Sequence, residues 1–354
     1  MFNLLSNGVI CQPYLNKLTG VLTKCKPVNT LINGYLFVNF NNKSPKLLEL
    51  CLTKLFQNWN YKYDYPVFIH YFNDIYDEKF KSRISKISNK IFFRQIDYAL
   101  PSNLSEKELF YNRTEVPYVQ KSFPKKRLGF LHTLRFMTNI TSFGKLGCPV
   151  KELENFDYLM RIDDDSNFKK KIDFDLFDVL EDNPIATGYM YNNFTDRMRD
   201  TRLGLWNFYK NYLKKYNYIP KNEQLRRAIT EDNERLMHTL YWTCGNCNLY
   251  NIKAFLNSPW NDYLNELNNF NGDYKFRWGD LEVITLFAYT HFDKDPYNFD
   301  LKKKDLYNDK FPTFLSSYAP GVDNSFNVHN FLPLRIYHFV MSLINLVINK
   351  FKSK

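Results

Sequence analysis

Three consecutive aspartates, Asp163, Asp164 and Asp165, stand directly behind the apolar stretch Phe156-Asp157-Tyr158-Leu159-Met160-Arg161-Ile162. That stretch predicts a strand, and a strand that ends in carboxylates delivers them to the edge of a sheet. If the extended backbone continues, Asp163 and Asp165 share a face about 6.5 to 7 Å apart. Two carboxylates so placed repel one another and suit a divalent cation such as Mn²⁺ or Mg²⁺, which prefers oxygen ligands and keeps water or phosphate in its shell. The same residues also read as a solvated acidic turn, or as part of a two-metal phosphatase or nuclease that needs further carboxylates.

The surrounding chain supplies a sheet for such a site. Strands are expected at Gly34 to Phe40, Tyr65 to Phe72, Lys90 to Ile96, Ile185 to Tyr191 and Cys247 to Ile252. Between them, helical spacing occupies Leu47 to Leu55, Tyr76 to Ser88, Leu128 to Asn139, Leu203 to Lys215, Asn222 to Leu240, Asn261 to Asn269 and Asp280 to Tyr289, with a short helix at Asp173 to Leu180. Repeated strand and helix alternation predicts an α/β fold with a mostly parallel sheet covered on both faces. Ligands of such sheets bind outside the carboxyl ends of the strands. Ala99 to Lys126, with three prolines, reads as a surface excursion. We expect an extension over 1–33, one catalytic domain over 34–330 and an amphipathic helix or tail over 331–354. That tail carries Phe339 to Ile348 ahead of Lys350, Lys352 and Lys354, a pattern that fits packing on the domain or lying in a membrane interface.

Composition narrows the partners. A net charge of +11 favours anionic partners, but Lys125-Lys126-Arg127 and Lys302-Lys303-Lys304 lack the spacing of a nucleic-acid reader. Six cysteines in 354 residues make no disulfide scaffold, and Cys244-x-x-Cys247 has no second pair to complete a zinc site. The sequence suggests neither a signal peptide nor a membrane span and leaves the localisation open, compatible with a cytoplasmic or a peripheral membrane setting. Asn42, Asn103, Asn112, Asn139 and Asn193 begin N-glycosylation patterns, which an asparagine-rich chain also produces by chance.

A second group, Arg277-Trp278-Gly279-Asp280, combines a ring able to stack on a base or sugar, a glycine that permits close approach, and an acid that orients hydroxyls or caps a helix. Taken with Phe130-Leu131-His132-Thr133-Leu134-Arg135-Phe136, the Asp163 strand, and Gly188-Tyr189 followed by Leu205-Trp206, it resembles the fungal Golgi α-1,2-mannosyltransferase family, glycosyltransferase family 15.

That resemblance implies a GT-A type nucleotide-sugar-binding fold and a metal-dependent hexosyltransferase moving mannose from GDP-mannose to a glycan hydroxyl with retention. It implies Asp163 and Asp165 as metal and donor ligands and a catalytic position at Asn248. Beside these, Asp280 is expected to be catalytic and Trp278 to shape the sugar side; His132 and Arg135 either organise the phosphate end or fix their helix, and Arg161 either receives phosphate or pairs with the acids. Where the family has an active-site glutamate, Asn246-Cys247-Asn248-Leu249 carries asparagine, which can be neither carboxylate nucleophile nor base. Phe130 lies nearest the position of a family tyrosine, and His291 and His329 are the candidates for a family metal histidine. A transferase using another nucleotide sugar, and a carbohydrate-binding protein without activity, are the alternatives.

Overall fold

The computed structural model describes residues 30–35, 44–71, 78–96, 99–112, 128–142, 150, 153, 156–163, 166–168, 171–188, 190–191, 202–234, 236, 240–243, 247–299 and 315–316. The strands among them are β1 (Thr30–Tyr35), β2 (Val67–Tyr71), β3 (Ile91–Gln95), β4 (Tyr158–Asp163), β5 (Asn167–Phe168), β6 (Ile185–Thr187), β7 (Met190–Tyr191), β8 (Trp242–Thr243), β9 (Cys247–Asn251), β10 (Tyr297–Asn298) and β11 (Leu315–Ser316). Seven of them form one sheet in the order β10-β6-β9-β4-β1-β2-β3. β1 pairs in parallel with β2 and β4, β2 with β3, and β10 with β6, whereas β9 runs antiparallel to both β4 and β6. The expected mostly parallel mixed sheet is therefore present.

Burial explains why the strands read as they do. Every residue of β2, Val-Phe-Ile-His-Tyr, is buried, as a parallel strand covered on both faces requires. Alternate residues feed two separate cores. Val67, Ile69, Met160, Ile162, Cys247 and Leu249 join one, while Phe68, Leu159, Ile185 and Tyr250 join the other.

The first core is covered by α1 (Ser44–Leu55). Its Leu48, Cys51, Leu52 and Leu55 are buried at the spacing of one helical face. A π-helical turn at Phe56–Asn60 extends it and buries Phe56 and Trp59. The second core is built by α3 (Leu128–Ile140), α4 (Leu205–Tyr216), α7 (Trp260–Phe270) and α9 (Asp280–His291). Shorter helices are α2 (Glu78–Ile84), α5 (Glu223–Thr230), α6 (Ile252–Leu256) and α8 (Gly272–Phe276). α9 is buried from Val283 to Thr290, so it runs through the interior rather than over it.

Several expectations are corrected. The first strand begins at Thr30, not Gly34, because Thr30 to Asn33 pair with Tyr158 to Arg161; the sheet thus takes up four residues assigned to the extension. The strand expected over Ile185 to Tyr191 divides after Thr187, and β7 pairs instead with β8. The helix expected to reach Leu240 stops at Thr230, where Asp232 turns left-handed and Asn233 donates its N–H back to the Ala228 carbonyl. The helix expected at Asp173 is a 3-10 turn at Asp178–Glu181. The excursion after Ala99 is not all surface, since Leu104, Leu109 and Phe110 pack with Leu131, Leu134 and Tyr274. Of the glycosylation patterns, that at Asn139 is closed off by the burial of both Asn139 and Thr141.

No described helix is long and apolar enough to cross a membrane. The C-terminal helix expected over 331–354 lies outside the described residues, as do Asp164, Asp165, Cys244 and His329.

Candidate active site

β4 ends in Asp163, at the carboxyl edge of the parallel strands. Strand alternation puts Asp163 on the same face as Arg161, the face that carries α9. The Arg161 guanidinium is buried and joins two acids: Nη1 donates to Asp280 Oδ2 at 2.6 Å and Nη2 to Asp163 Oδ1 at 3.3 Å. Asp280 is the first residue of α9, where the helix's unpaired N–H groups favour negative charge. Its carboxylate accepts from its own backbone N–H and that of Leu281. Burial nevertheless lifts the Asp280 carboxyl above the ordinary carboxylate range, against the pull of Arg161.

The exposure of the two acids separates their roles. The Asp163 side chain is 16% exposed and that of Asp280 only 5%. Asp163 can therefore meet a ligand at the sheet edge, whereas Asp280 fixes the arginine that orients it. The structure thus gives Asp280 the ion pair with Arg161 at the start of the helix.

Across the sheet, Asn248 of β9 stands opposite Arg161 and beside Thr187 of β6. It has no exposed surface, and neither its Oδ1 nor its Nδ2 has a hydrogen-bond partner. Asn248 thus lies enclosed beside Arg161, and as an amide it offers that position no carboxylate. Two residues on, the Tyr250 hydroxyl also reaches Arg161, and burial raises its pKa further above that of an ordinary phenol.

Three more residues expected around the donor make contacts within the scaffold. His132 Nδ1 meets the Tyr274 hydroxyl at 2.8 Å. Arg135 grips Asp273 through Nε and, at 2.7 Å, through Nη2, which also donates to Asn271 Oδ1 at 2.9 Å. Both thus tie α3 to α8, and the Arg135 charge is neutralised by a carboxylate instead of a phosphate. Trp278 is 2% exposed, with its ring against the Gly272 backbone and parallel to Phe270 and Phe276, while its Nε1 donates to the Leu203 carbonyl at 2.8 Å. No face remains for a base or sugar.

His291 lies at the far end of α9 from Asp280, roughly 16 Å away along the helix, and packs against Phe287 and Tyr218. It is too distant to share a metal with Asp163. Among the described residues no three His, Cys, Asp or Glu side chains converge on a possible metal position. A hard cation at Asp163 would take its remaining ligands from Asp165, phosphate oxygens and water, a shell usual for Mg²⁺-like ions. The partly exposed Asp163 carboxylate fits that chemistry. A cleft of about 1140 Å³ elsewhere, lined by residues such as Asp182, Lys221, Arg227 and Tyr297, contains none of these groups. Its volume does not outweigh the chemistry at Asp163.

The sequence did not single out Tyr250, Asp273, Arg202 or Glu282. Tyr250 was recoverable from strand alternation two residues beyond Asn248. Arg202 is fully buried, its guanidinium 3.9 Å from the centre of the Trp242 ring and its Nε 3.8 Å from Glu282 Oε1. Glu282 lies in the first turn of α9, a position that favours acids.

Comparison with known proteins agrees with this architecture. The model of the glycolipid 2-alpha-mannosyltransferase family matches residues 25–307. A probable mannosyltransferase of Saccharomyces cerevisiae, KTR3, is 24% identical over 256 residues, 68% of this chain and 58% of that protein. The O-glycoside alpha-1,2-mannosyltransferase omh1 of Schizosaccharomyces pombe is 23% identical over 280 residues, 77% of this chain and 68% of omh1. The chain therefore spans little more than half the length of the first of these relatives. In three dimensions it matches the Mn/GDP form of core-mannan synthase A from Aspergillus fumigatus with a TM-score of 0.59 at 21% identity, covering 75% of this chain and 70% of that one. The mannosyltransferase Ktr4p of S. cerevisiae follows at 0.56 and 18% identity, covering 75% and 66%. The fold is the GT-A type α/β fold expected from the sequence.

Proposed function

The chain belongs to the glycolipid 2-alpha-mannosyltransferase family, and from that membership we propose that it transfers mannose from GDP-mannose to a hydroxyl of a glycan or glycoprotein, with retention of configuration. The observation that carries this reading is the acid at the carboxyl end of β4, held by Arg161 to the first residue of α9. A diphosphate bound there meets an oriented carboxylate at the strand edge, where ligands of such sheets bind.

A Mn²⁺ ion, or Mg²⁺, would be held by Asp163 and Asp165, and when bound it supplies charge compensation for the departing diphosphate. The chain's own contribution is positional. Arg161, locked by Asp280, prevents Asp163 from turning away, and the interior amide of Asn248 adds no further negative charge beside it.

With asparagine at 248, no carboxylate at that position forms a covalent glycosyl intermediate. Retention then proceeds on one face of the sugar. The bond from the anomeric carbon to the phosphate oxygen breaks, the acceptor oxygen bonds to that carbon from the same side, and the hydroxyl proton passes to the departing phosphate. The absence of that carboxylate also motivates a second reading, a carbohydrate-binding protein without turnover.

The deciding experiment supplies GDP-mannose and a panel of other nucleotide sugars with and without Mn²⁺, then determines the product linkage by NMR. Metal-dependent release of GDP with an α-mannoside product supports the proposal. Transfer from a different donor corrects the sugar, and glycan binding without turnover of any donor overturns the enzymatic reading.

A further inference from the structure

α9 begins with two buried acids: Asp280 meets the Arg161 that it shares with Asp163, and Glu282 lies in the field of Arg202 and, more weakly, Arg277. Asp280 meets Arg161 at 2.6 Å, and two residues later Glu282 faces Arg202, with 3.8 Å between Oε1 and Nε. Two residues along a helix turn the side chain through roughly 200°, so the pairs lie on opposite sides of the helix start.

The second pair is anchored to the rest of the molecule. Arg202 is fully buried over the ring of Trp242, itself buried. One residue on, the Thr243 N–H donates to Thr285 Oγ1 at 3.3 Å, and the two threonine hydroxyls lie 3.0 Å apart. Glu282 folds back over the turn that precedes the helix: a Cβ on Gly279 would overlap its Oε2. That turn also contains Arg277 in the left-handed region, φ 61°, where a non-glycine residue is held only by its surroundings.

We propose that Glu282 is a positioning residue: its carboxylate, lodged against the Gly279 backbone and within 3.8 Å of Arg202, holds the turn that aims Asp280 at Arg161 and thereby sets Asp163. The proposal rests on the Asp163 site described above, and on no direct contact between Glu282 and substrate. Glycine at 279 follows from it, because the carboxylate occupies the space a side chain would need. The fully buried guanidinium of Arg202 supplies a counter-charge to Glu282.

The test compares Glu282→Gln, Asp280→Asn and the double variant of the full chain, measuring amide hydrogen exchange over residues 272–282 together with kcat and KM for the donor. Glu282→Gln is expected to speed exchange in that segment and to lower kcat by on the order of tenfold to a hundredfold, with KM little changed. The double variant is expected to be no slower than Asp280→Asn alone, because Glu282 acts through Asp280. Unchanged exchange in Glu282→Gln overturns the proposal, and so do losses that simply multiply in the double variant. If Glu282→Gln does not fold, Gly279→Ala disturbs the same contact from the other side and is read by the same two measurements. If the wild-type chain transfers no sugar, the proposed function fails, while hydrogen exchange still judges the link between Glu282 and the turn.

Discussion

Gly272 and Trp278 are in such close contact that a single added methyl group on the glycine would overlap the indole. The glycine opens α8 and the tryptophan follows it, so the contact closes a short loop directly before Asp280. Gly272→Ala is expected to destabilise the protein by about 1–3 kcal/mol, the usual cost of overpacking. The urea midpoint measures it, and an unchanged midpoint would show that the ring can move aside.

At the site itself, Asp163→Asn retains shape and removes charge. Turnover at saturating donor is expected to fall on the order of a hundredfold, and the response to Mn²⁺ to weaken. A folded variant with wild-type activity and metal response would remove Asp163 from the centre of the proposal.

Arg135 tests the distinction between scaffold and phosphate ligand. Arg135→Ala leaves Asp273, 12% exposed, without its partner and is expected to cost about 2–4 kcal/mol of stability. The KM for donor, measured on the folded fraction at low temperature, should stay near that of the wild type. A large rise in KM with little loss of stability would restore the phosphate role.

The buried His70 and the half-buried His291 predict acid lability. Burial lowers the His70 pKa from 6.5 to about 3 and that of His291 from 6.5 to about 4. Both stay neutral in the folded chain while the unfolded chain takes up protons below pH 6.5. Their contribution to stability is therefore complete above pH 6.5 and is lost progressively as pH falls through 6.5 toward 4, by up to about 1.4 kcal/mol per pH unit for His70 and by less for the solvent-screened His291. Urea midpoints at pH 7.5 and pH 5 check the direction, and His291→Gln should reduce the slope. A midpoint that rises on acidification would contradict the assignment.

What could be read from the sequence was local. Leu48, Cys51, Leu52 and Leu55 carry their helix in their spacing, and the apolar run before Asp163 carries its strand. Pairings across the chain were not legible. Arg135 and Asp273 are 138 residues apart, and nothing near either one announces the other. The direction of β9 was hidden too, because an apolar run has no polarity. Trp278 illustrates the opposite error: a tryptophan beside Gly279 and Asp280 suggests a sugar platform, yet Phe270, Phe276 and Gly272 already claim its surface. The start of β1 was misplaced because pairing with β4 decides it, not composition.

The antiparallel course of β9 has a consequence for how such chains can diverge. The main chain enters β9 at the edge where β1 and β4 leave the sheet. Residues inserted just ahead of Cys247 would therefore remodel the mouth beside Asp163, while those added after Asn251 would alter the remote rim, where its N–H is already bound to the Pro184 carbonyl. Loop variation on one strand can thus change what reaches the acid without disturbing the strand that bears it.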